Sequence, residues 1–167
     1  MHGNKFKLAV VSAAMLLSAV GWQGAKAATT TTTFTAQIII QADCQIQSAT
    51  NLDFGTSGVL SAVVNATSDI GVQCTNTTAY NIGLNAGTTA GGSIATRKMT
   101  DGTATVDYRM FSDAGRTTNW GNTVGTDTVS ATGNGAVQTH TVFGQVPVQT
   151  TPAPATYTDT VTVTVTF

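Results

Sequence analysis

Few side chains in this sequence are of the types that perform catalysis. One histidine, His140, follows the first 27 residues, and glutamate is absent from the whole chain of 167 residues. A serine nucleophile paired with His140 is arithmetically possible, but the sequence contains no G-x-S-x-G motif. His140 lies among threonines in a strand-like run, which favours a solvated or core position. We therefore expect that the protein is not an enzyme.

The acidic residues offer no recognisable metal site. They are eight aspartates scattered along the chain, and with one histidine and two cysteines they fit neither zinc nor EF-hand spacing. Asp107 and Asp113 have the residue type of a glycosidase pair. We interpret them instead as a strand-face charge and a turn residue, with Arg109 between them in a local ion pair. We expect neither a metal nor another cofactor.

One aromatic cluster could bind sugar. Trp120-Gly121 follows Tyr108 closely in sequence, and exposed aromatic rings stack on sugars. Large aromatic side chains also supply much of the buried area of a small core. We favour the core interpretation, and a secreted carbohydrate-binding module stays as an alternative.

The N-terminal segment has the pattern of a secretory signal peptide. Lys5 and Lys7 precede an apolar run over residues 8–20, and Ala25-Lys26-Ala27 forms an A-x-A cleavage pattern. The run is too short for a membrane span of about 20 residues. We assign residues 1–27 to the signal peptide, and we expect no direct membrane insertion of residues 28–167.

Export sets expectations for the remaining chain. Residues 28–167 carry four basic residues against eight aspartates, a net charge of −4. Nothing in that balance favours binding of nucleic acid. Cys44 and Cys74 form an even pair in an oxidising compartment, which predicts a disulfide. Closing that loop should stabilise the fold by about 3.5 kcal/mol.

The composition and periodicity indicate β-structure. Threonine occurs 34 times and glycine 17 times, and 41% of the chain is hydrophobic against 9% charged. Such a chain is neither a helical bundle nor disordered. Period-2 alternation recurs in segments separated by turn residues, and Pro147 marks one of them as an edge strand or a bulge. The alternating segments are 70–74, 80–84, 106–110, 142–148 and 156–167. About seven short strands predict an antiparallel immunoglobulin-like β-sandwich, with a small barrel as the second choice.

Both ends of the exported chain are unusual. The most regular predicted strand, 156–167, runs to the last residue with nothing after it to pair with its free edge. Residues 28–40 form a β-prone arm of roughly 40 Å when extended, ahead of a domain at 41–167. Alternation places Thr32, Phe34, Ala36, Ile38 and Ile40 on one face of the arm. The arm is either the first strand of its own domain or a strand donated to the next subunit.

Several short segments together resemble the spore coat protein U domain family, which includes the major subunits of archaic (Csu-type) chaperone–usher pili. The similarity covers nearly all of residues 28–167, and its most specific part is Tyr-x-x-Phe-x-Asp followed by Arg-Thr and Trp-Gly. The matching segments are Cys44-Gln45-Ile46, Leu52-Asp53-Phe54-Gly55, Gly71-Val72-Gln73-Cys74, Tyr80-Asn81-Ile82-Gly83-Leu84, Val106 to Asp113, Arg116 to Gly121 and the terminal alternating strand.

The resemblance implies an incomplete immunoglobulin-like fold that lacks its last strand. A periplasmic chaperone would lend a strand, and an outer-membrane usher would exchange it for the arm of another copy, building a head-to-tail homopolymer at the cell surface. Thr32, Phe34, Ala36, Ile38 and Ile40 would be the donor residues. The acceptor groove would include Val161, Val163, Val165 and Phe167, whose carboxylate would contact the chaperone. Adhesion and biofilm formation are the implied function, and a coat-layer protein of the same family is an alternative.

Overall fold

The computed structural model describes residues 24–167, so residues 1–23 of the predicted signal peptide lie outside the described residues. The chain divides after Ile38 into two units. Residues 24–38 have no regular secondary structure, and every one of them is exposed. Residues 39–167 contain all eight strands of the described part of the chain.

The strands form two antiparallel sheets. The five-stranded sheet has the order β1-β2-β7-β5-β4, and the three-stranded sheet has the order β6-β3-β8. The predicted all-β sandwich is therefore confirmed, with eight described strands where about seven were expected. Their bounds are β1 Cys44–Ala49, β2 Val64–Cys74, β3 Ala79–Leu84, β4 Arg97–Thr100, β5 Thr105–Phe111, β6 Val129–Thr132, β7 Val137–Val146 and β8 Val163–Thr166.

Period-2 alternation selects the side chains that form the core. In β5, the side chains of Val106, Tyr108 and Met110 are buried, whereas Arg109 is exposed. The same alternation in β2, β3 and β7 directs apolar side chains between the sheets, because successive residues of a strand point to opposite faces. The core residues shared by these strands are Ile70, Val72, Cys74, Tyr80, Ile82, Leu84, Val142 and Val146.

Trp120 and Arg97 are the largest fully buried side chains. The indole N–H of Trp120 donates to the carbonyl of Ile82 at 2.8 Å, which ties the loop after β5 to the other sheet. The Arg97 guanidinium donates to four backbone carbonyls, including those of Leu84 and Trp120. Trp120 is thus a core residue, as we favoured, and it offers no exposed ring to a sugar.

The predicted C-terminal strand is interrupted. Thr158 pairs with Thr100 of β4 in an isolated bridge, whereas Val163–Thr166 pairs with β3 of the other sheet. The prediction of one continuous strand over 156–167 was therefore wrong, because this segment changes from one sheet to the other between these two pairings. Pro147 directly follows the end of β7, a strand inside the five-stranded sheet, so it marks neither an edge strand nor a bulge.

A second local prediction was also wrong. Lys98 on β4 lies directly opposite Asp107 on β5, and Nζ of Lys98 lies 2.6 Å from Oδ1 of Asp107. Asp107 therefore pairs with its cross-strand neighbour and not with Arg109. Both side chains are partly exposed, so the pair adds little to stability.

Candidate functional site

The C-terminal strand β8 is an edge strand with an apolar inner face. On one side it pairs with β3, with Ile82 opposite Val165 and Leu84 opposite Val163. Among the strands of residues 24–167, none pairs with β8 on its other side. Val161, Val163 and Val165 are half-buried and pack against the core, whereas the threonines between them are exposed. An unpaired edge of this kind is a template for an additional strand.

Strand β1 is the corresponding edge of the five-stranded sheet, and it contacts β8. Its residue Ile46 lies opposite the fully buried Val72 yet keeps 43% of its surface exposed. Cys44 lies opposite Cys74, and the two form the predicted disulfide with an S–S distance of 2.02 Å. The disulfide therefore holds the start of this exposed edge strand on the sheet.

An open cleft of about 1140 Å³ is lined by residues of both sheets. Core residues from β2, β5 and β7 form its floor, and Val161 and Val163 form part of one wall. Leu52 and Phe54 belong to the loop after β1, which lines the cleft as well. Their side chains are partly buried, and the ring of Phe54 meets that of Tyr108 edge to face at 6.1 Å. The floor residues are Val64, Ile70, Val106, Tyr108, Met110, Val142 and Val146.

The cleft brings together two of the four predicted groove residues. Val161 and Val163 line it, whereas Val165 packs against the core outside it and Phe167 is 57% exposed. Sequence reasoning assigned no groove role to Leu52 or Phe54. The sequence feature that could have indicated this role is the segment Leu52-Asp53-Phe54-Gly55, in which the two apolar residues lie two positions apart.

The predicted donor residues are exposed. Thr32, Phe34, Ala36 and Ile38 belong to the unit that ends at Ile38, and Phe34 and Ile38 are 92% and 81% exposed. Ile40 belongs to residues 39–167 and is 72% exposed. Covering such exposed aliphatic and aromatic side chains with a partner lowers the free energy, because their apolar surface is removed from water.

A carboxylate organises the wall of the cleft just before Val161. Oδ1 of Asp159 accepts hydrogen bonds from the backbone N–H groups of Thr88 at 2.9 Å and Thr89 at 3.1 Å. Oδ2 accepts a hydrogen bond from the hydroxyl of Tyr108 at 2.7 Å. Burial acts to raise the pKa of Asp159, but the bonds from Tyr108, Thr89 and Thr88 outweigh it, and the pKa lies below its ordinary value. Burial, together with the bond to Asp159, raises the pKa of Tyr108.

The contacts of Asp159 restrict the chain that packs over it. Gly87 has φ of +85°, a conformation that favours glycine, and a Cβ built there would lie 1.8 Å from Oδ2 of Asp159. Gly87 thus lies closer to the Asp159 carboxylate than a residue with a Cβ atom could.

His140 has a structural partner. Its Nε2 lies 2.9 Å from the hydroxyl of Tyr80, which belongs to the opposite sheet, and the two rings meet edge to face. Burial lowers the pKa of His140. Within residues 24–167, no three histidine, cysteine or aspartate side chains lie together in a way that could hold a metal ion.

The two packed antiparallel sheets, with an apolar cleft and an open edge at β8, define an immunoglobulin-like β-sandwich domain. The family model of the Spore Coat Protein U domain matches residues 30–164. The chain therefore belongs to the Spore Coat Protein U domain family.

Among solved structures, the chain is similar to one in the crystal structure of the CsuC–CsuE chaperone–tip adhesion subunit pre-assembly complex from archaic chaperone–usher Csu pili of Acinetobacter baumannii. The two chains are 28% identical and superpose with a TM-score of 0.57. The match covers 77% of this chain and 40% of that one. A search of curated proteins gives no match. In the part of the chain that the structure describes, no helix has the length and apolar character needed to cross a membrane.

Proposed function

We propose that this chain is an exported structural subunit of a chaperone–usher pilus, which polymerises by donor-strand exchange. The observation that carries the proposal is the apolar cleft of about 1140 Å³ beside the unpaired edge of β8. Membership of the Spore Coat Protein U family and the similarity to a chain of a Csu pre-assembly complex support it.

The occupant of the cleft in the fibre is the arm of another copy, residues 28–40. The arm supplies backbone N–H and C=O groups to the free edge of β8, and it supplies Phe34, Ile38 and Ile40 to the cleft. Burying each of these side chains contributes about 1.5–3 kcal/mol. A contact of this head-to-tail type does not close on itself, so it builds a filament.

Before polymerisation, the same edge requires a temporary partner. An exposed apolar cleft with an unpaired strand edge aggregates. A periplasmic chaperone that adds a strand to β8 removes this hazard, and an outer-membrane usher exchanges that strand for the arm. The resulting surface fibre would support adhesion and biofilm formation.

Deletion of residues 28–40 tests this function. The truncated subunit, produced behind its signal peptide together with chaperone and usher, is expected to form the chaperone complex but no fibres. Pull-down from the periplasm measures the first outcome, and negative-stain microscopy of the cell surface measures the second. Fibres of normal length from the truncated subunit would exclude donor-strand exchange through this arm.

A coat-layer protein is the second candidate, because the matching family model describes a coat protein domain. The two candidates differ in where the assembled protein is found. Extended fibres that shear from the cell surface support the pilus, whereas a continuous layer that resists shear supports the coat.

A further inference from the structure

The C-terminal segment changes sheets within a few residues. Thr158 exchanges both backbone hydrogen bonds with Thr100 of β4, at 2.9 and 3.0 Å. Thr162 then forms hydrogen bonds with Asn85, the residue directly after β3, and β8 begins at Val163. Val161 and Val163, whose side chains line the cleft, lie on either side of Thr162. Their position therefore depends on where the crossing is fixed.

Asp159 lies at the crossing and joins separate parts of the structure. Its carboxylate bonds to the 88–89 segment and to Tyr108 on the floor of the cleft, and its own backbone continues into the wall. It also lines the cleft itself. No other described aspartate connects both the floor and the wall of the cleft by such bonds.

We infer that Asp159 is the positioning residue of the acceptor groove. Its hydrogen bonds set the register at which Val161 and Val163 face an incoming donor strand. The inference rests on the proposed function. A carboxylate accepts several N–H and O–H donors at once, which an amide of the same shape cannot do. Asp159→Asn therefore loosens the crossing while it leaves every apolar side chain of the cleft in place.

The probe for the test is a fluorescently labelled synthetic peptide with the sequence of residues 28–40. The parent protein is the full exported chain carrying Ile38→Asn, so that its own arm does not compete and the substitution adds no group that titrates in the acid range. Anisotropy measures peptide affinity, and thermal unfolding of the peptide-free protein measures stability. Asp159→Asn is expected to weaken peptide binding about tenfold, because one hydrogen bond to a charged group is typically worth that factor or more.

A matched control is available in Asp113→Asn. The Asp113 carboxylate also accepts two threonine N–H groups and a threonine hydroxyl, but it lies in the turn after β5 and does not line the cleft. We expect this variant to bind the peptide as the parent does. Tyr108→Phe is the second test variant, since it removes only the bond to Oδ2 and keeps the ring against Phe54. It is expected to weaken binding by a factor of about three to ten.

A pH profile separates positioning from a general loss of stability. The groups that act on Asp159 are Tyr108 on β5 and, through space, Arg97 on β4, and both keep their protons under acid conditions. Protonation of Asp159 removes its charge and turns one carboxylate oxygen into a donor, so it weakens the bonds from Tyr108, Thr88 and Thr89. Because the pKa of Asp159 lies below its ordinary value, peptide affinity of the parent should fall at a pH below the ordinary aspartate value of about 4. The Asp159→Asn variant should lack this part of the profile, whereas Asp113→Asn should retain it.

The outcomes distinguish failure of the proposed donor-strand exchange from failure of the inference about Asp159. Failure of the peptide to bind the parent would overturn both the proposed function and this inference. If the peptide binds the parent, Asp159→Asn and Tyr108→Phe with the same affinity, the inference about Asp159 is overturned and the proposed function is not. If Asp159→Asn does not fold, unchanged affinity and an unchanged pH profile in Tyr108→Phe would overturn it as well.

Discussion

Ile38→Asp and Gln37→Asp form a pair of substitutions that isolates the face of the arm. Both introduce one negative charge at adjacent positions, and both residues are exposed in the structure. Alternation places Ile38 on the apolar face with Phe34 and Ile40, and Gln37 on the opposite face. In the fibre, Ile38 would enter the cleft of the next subunit and Gln37 would face solvent.

The expected difference follows from burial. Ile38 is 81% exposed in the subunit, so the substitution removes little from its own fold. In the cleft, the loss of the isoleucine costs about 1.5–3 kcal/mol. Desolvation of an unpaired carboxylate there costs several kcal/mol more. A total of at least about 4 kcal/mol corresponds to a linkage weaker by about a thousandfold. Gln37→Asp should change the linkage free energy by less than about 0.5 kcal/mol.

Fibre formation on cells and thermal unfolding of the purified subunit together test this pair. We expect no fibres for Ile38→Asp, fibres of normal length for Gln37→Asp, and the same unfolding midpoint for both subunits when it is measured at a dilution at which subunits do not associate. Equal fibre yields from the two variants would refute the assignment of Ile38 to the cleft. A lowered midpoint for Ile38→Asp alone would show that this residue stabilises its own subunit.

Three further predictions concern the fold that holds the cleft. Replacing Cys44 and Cys74 by alanine should lower the free energy of unfolding by about 3.5 kcal/mol, measured by urea denaturation against the oxidised parent. Arg97→Met leaves four backbone carbonyls without their donor and should cost at least about 3 kcal/mol, whereas Arg109→Met at an exposed position should cost less than about 0.5 kcal/mol. Because burial lowers the pKa of His140, the unfolded chain binds a proton first, and stability should fall as pH drops through about 6.5. His140→Gln should flatten that pH dependence, and an unchanged slope of urea midpoint against pH would contradict it.

The sequence predicted well what depends on local pattern. Alternation placed Val161, Val163, Val165 and Phe167 on one face of the last segment and the threonines on the other. The three valines are half-buried and the threonines between them are exposed, as this pattern predicts, but Phe167 is exposed as well. The cysteine pair and the export pattern predicted the disulfide, which joins opposite residues of neighbouring strands. In each case a short-range rule was sufficient, because side-chain direction in a strand is set by the backbone alone.

Sequence-based prediction failed where a segment's structure depends on residues that are distant from it in the chain. Alternation over 156–167 indicates which face each residue takes, but it does not indicate which strand pairs with it. The partners of Asp159 lie 51 to 71 residues away, so the interruption of this strand had no local signal. Arg97 is similar, since its buried charge is compensated by carbonyls of Leu84, Asn85, Ile94 and Trp120 and not by a carboxylate that a motif could reveal.

Several large exposed apolar side chains lie close together in the arm. Phe34, Ile38, Ile39 and Ile40 are each at least 72% exposed, and they are consecutive or nearly so in the arm. Ile46 on β1 adds a further exposed side chain at the open edge of the sandwich. Surface apolar residues scattered singly need no explanation, but apolar residues gathered into one segment mark an interface. Under the proposed function, each covered cleft adds binding free energy to the folded state. The unfolding midpoint should therefore rise with subunit concentration in the parent and stay constant in Ile38→Asp.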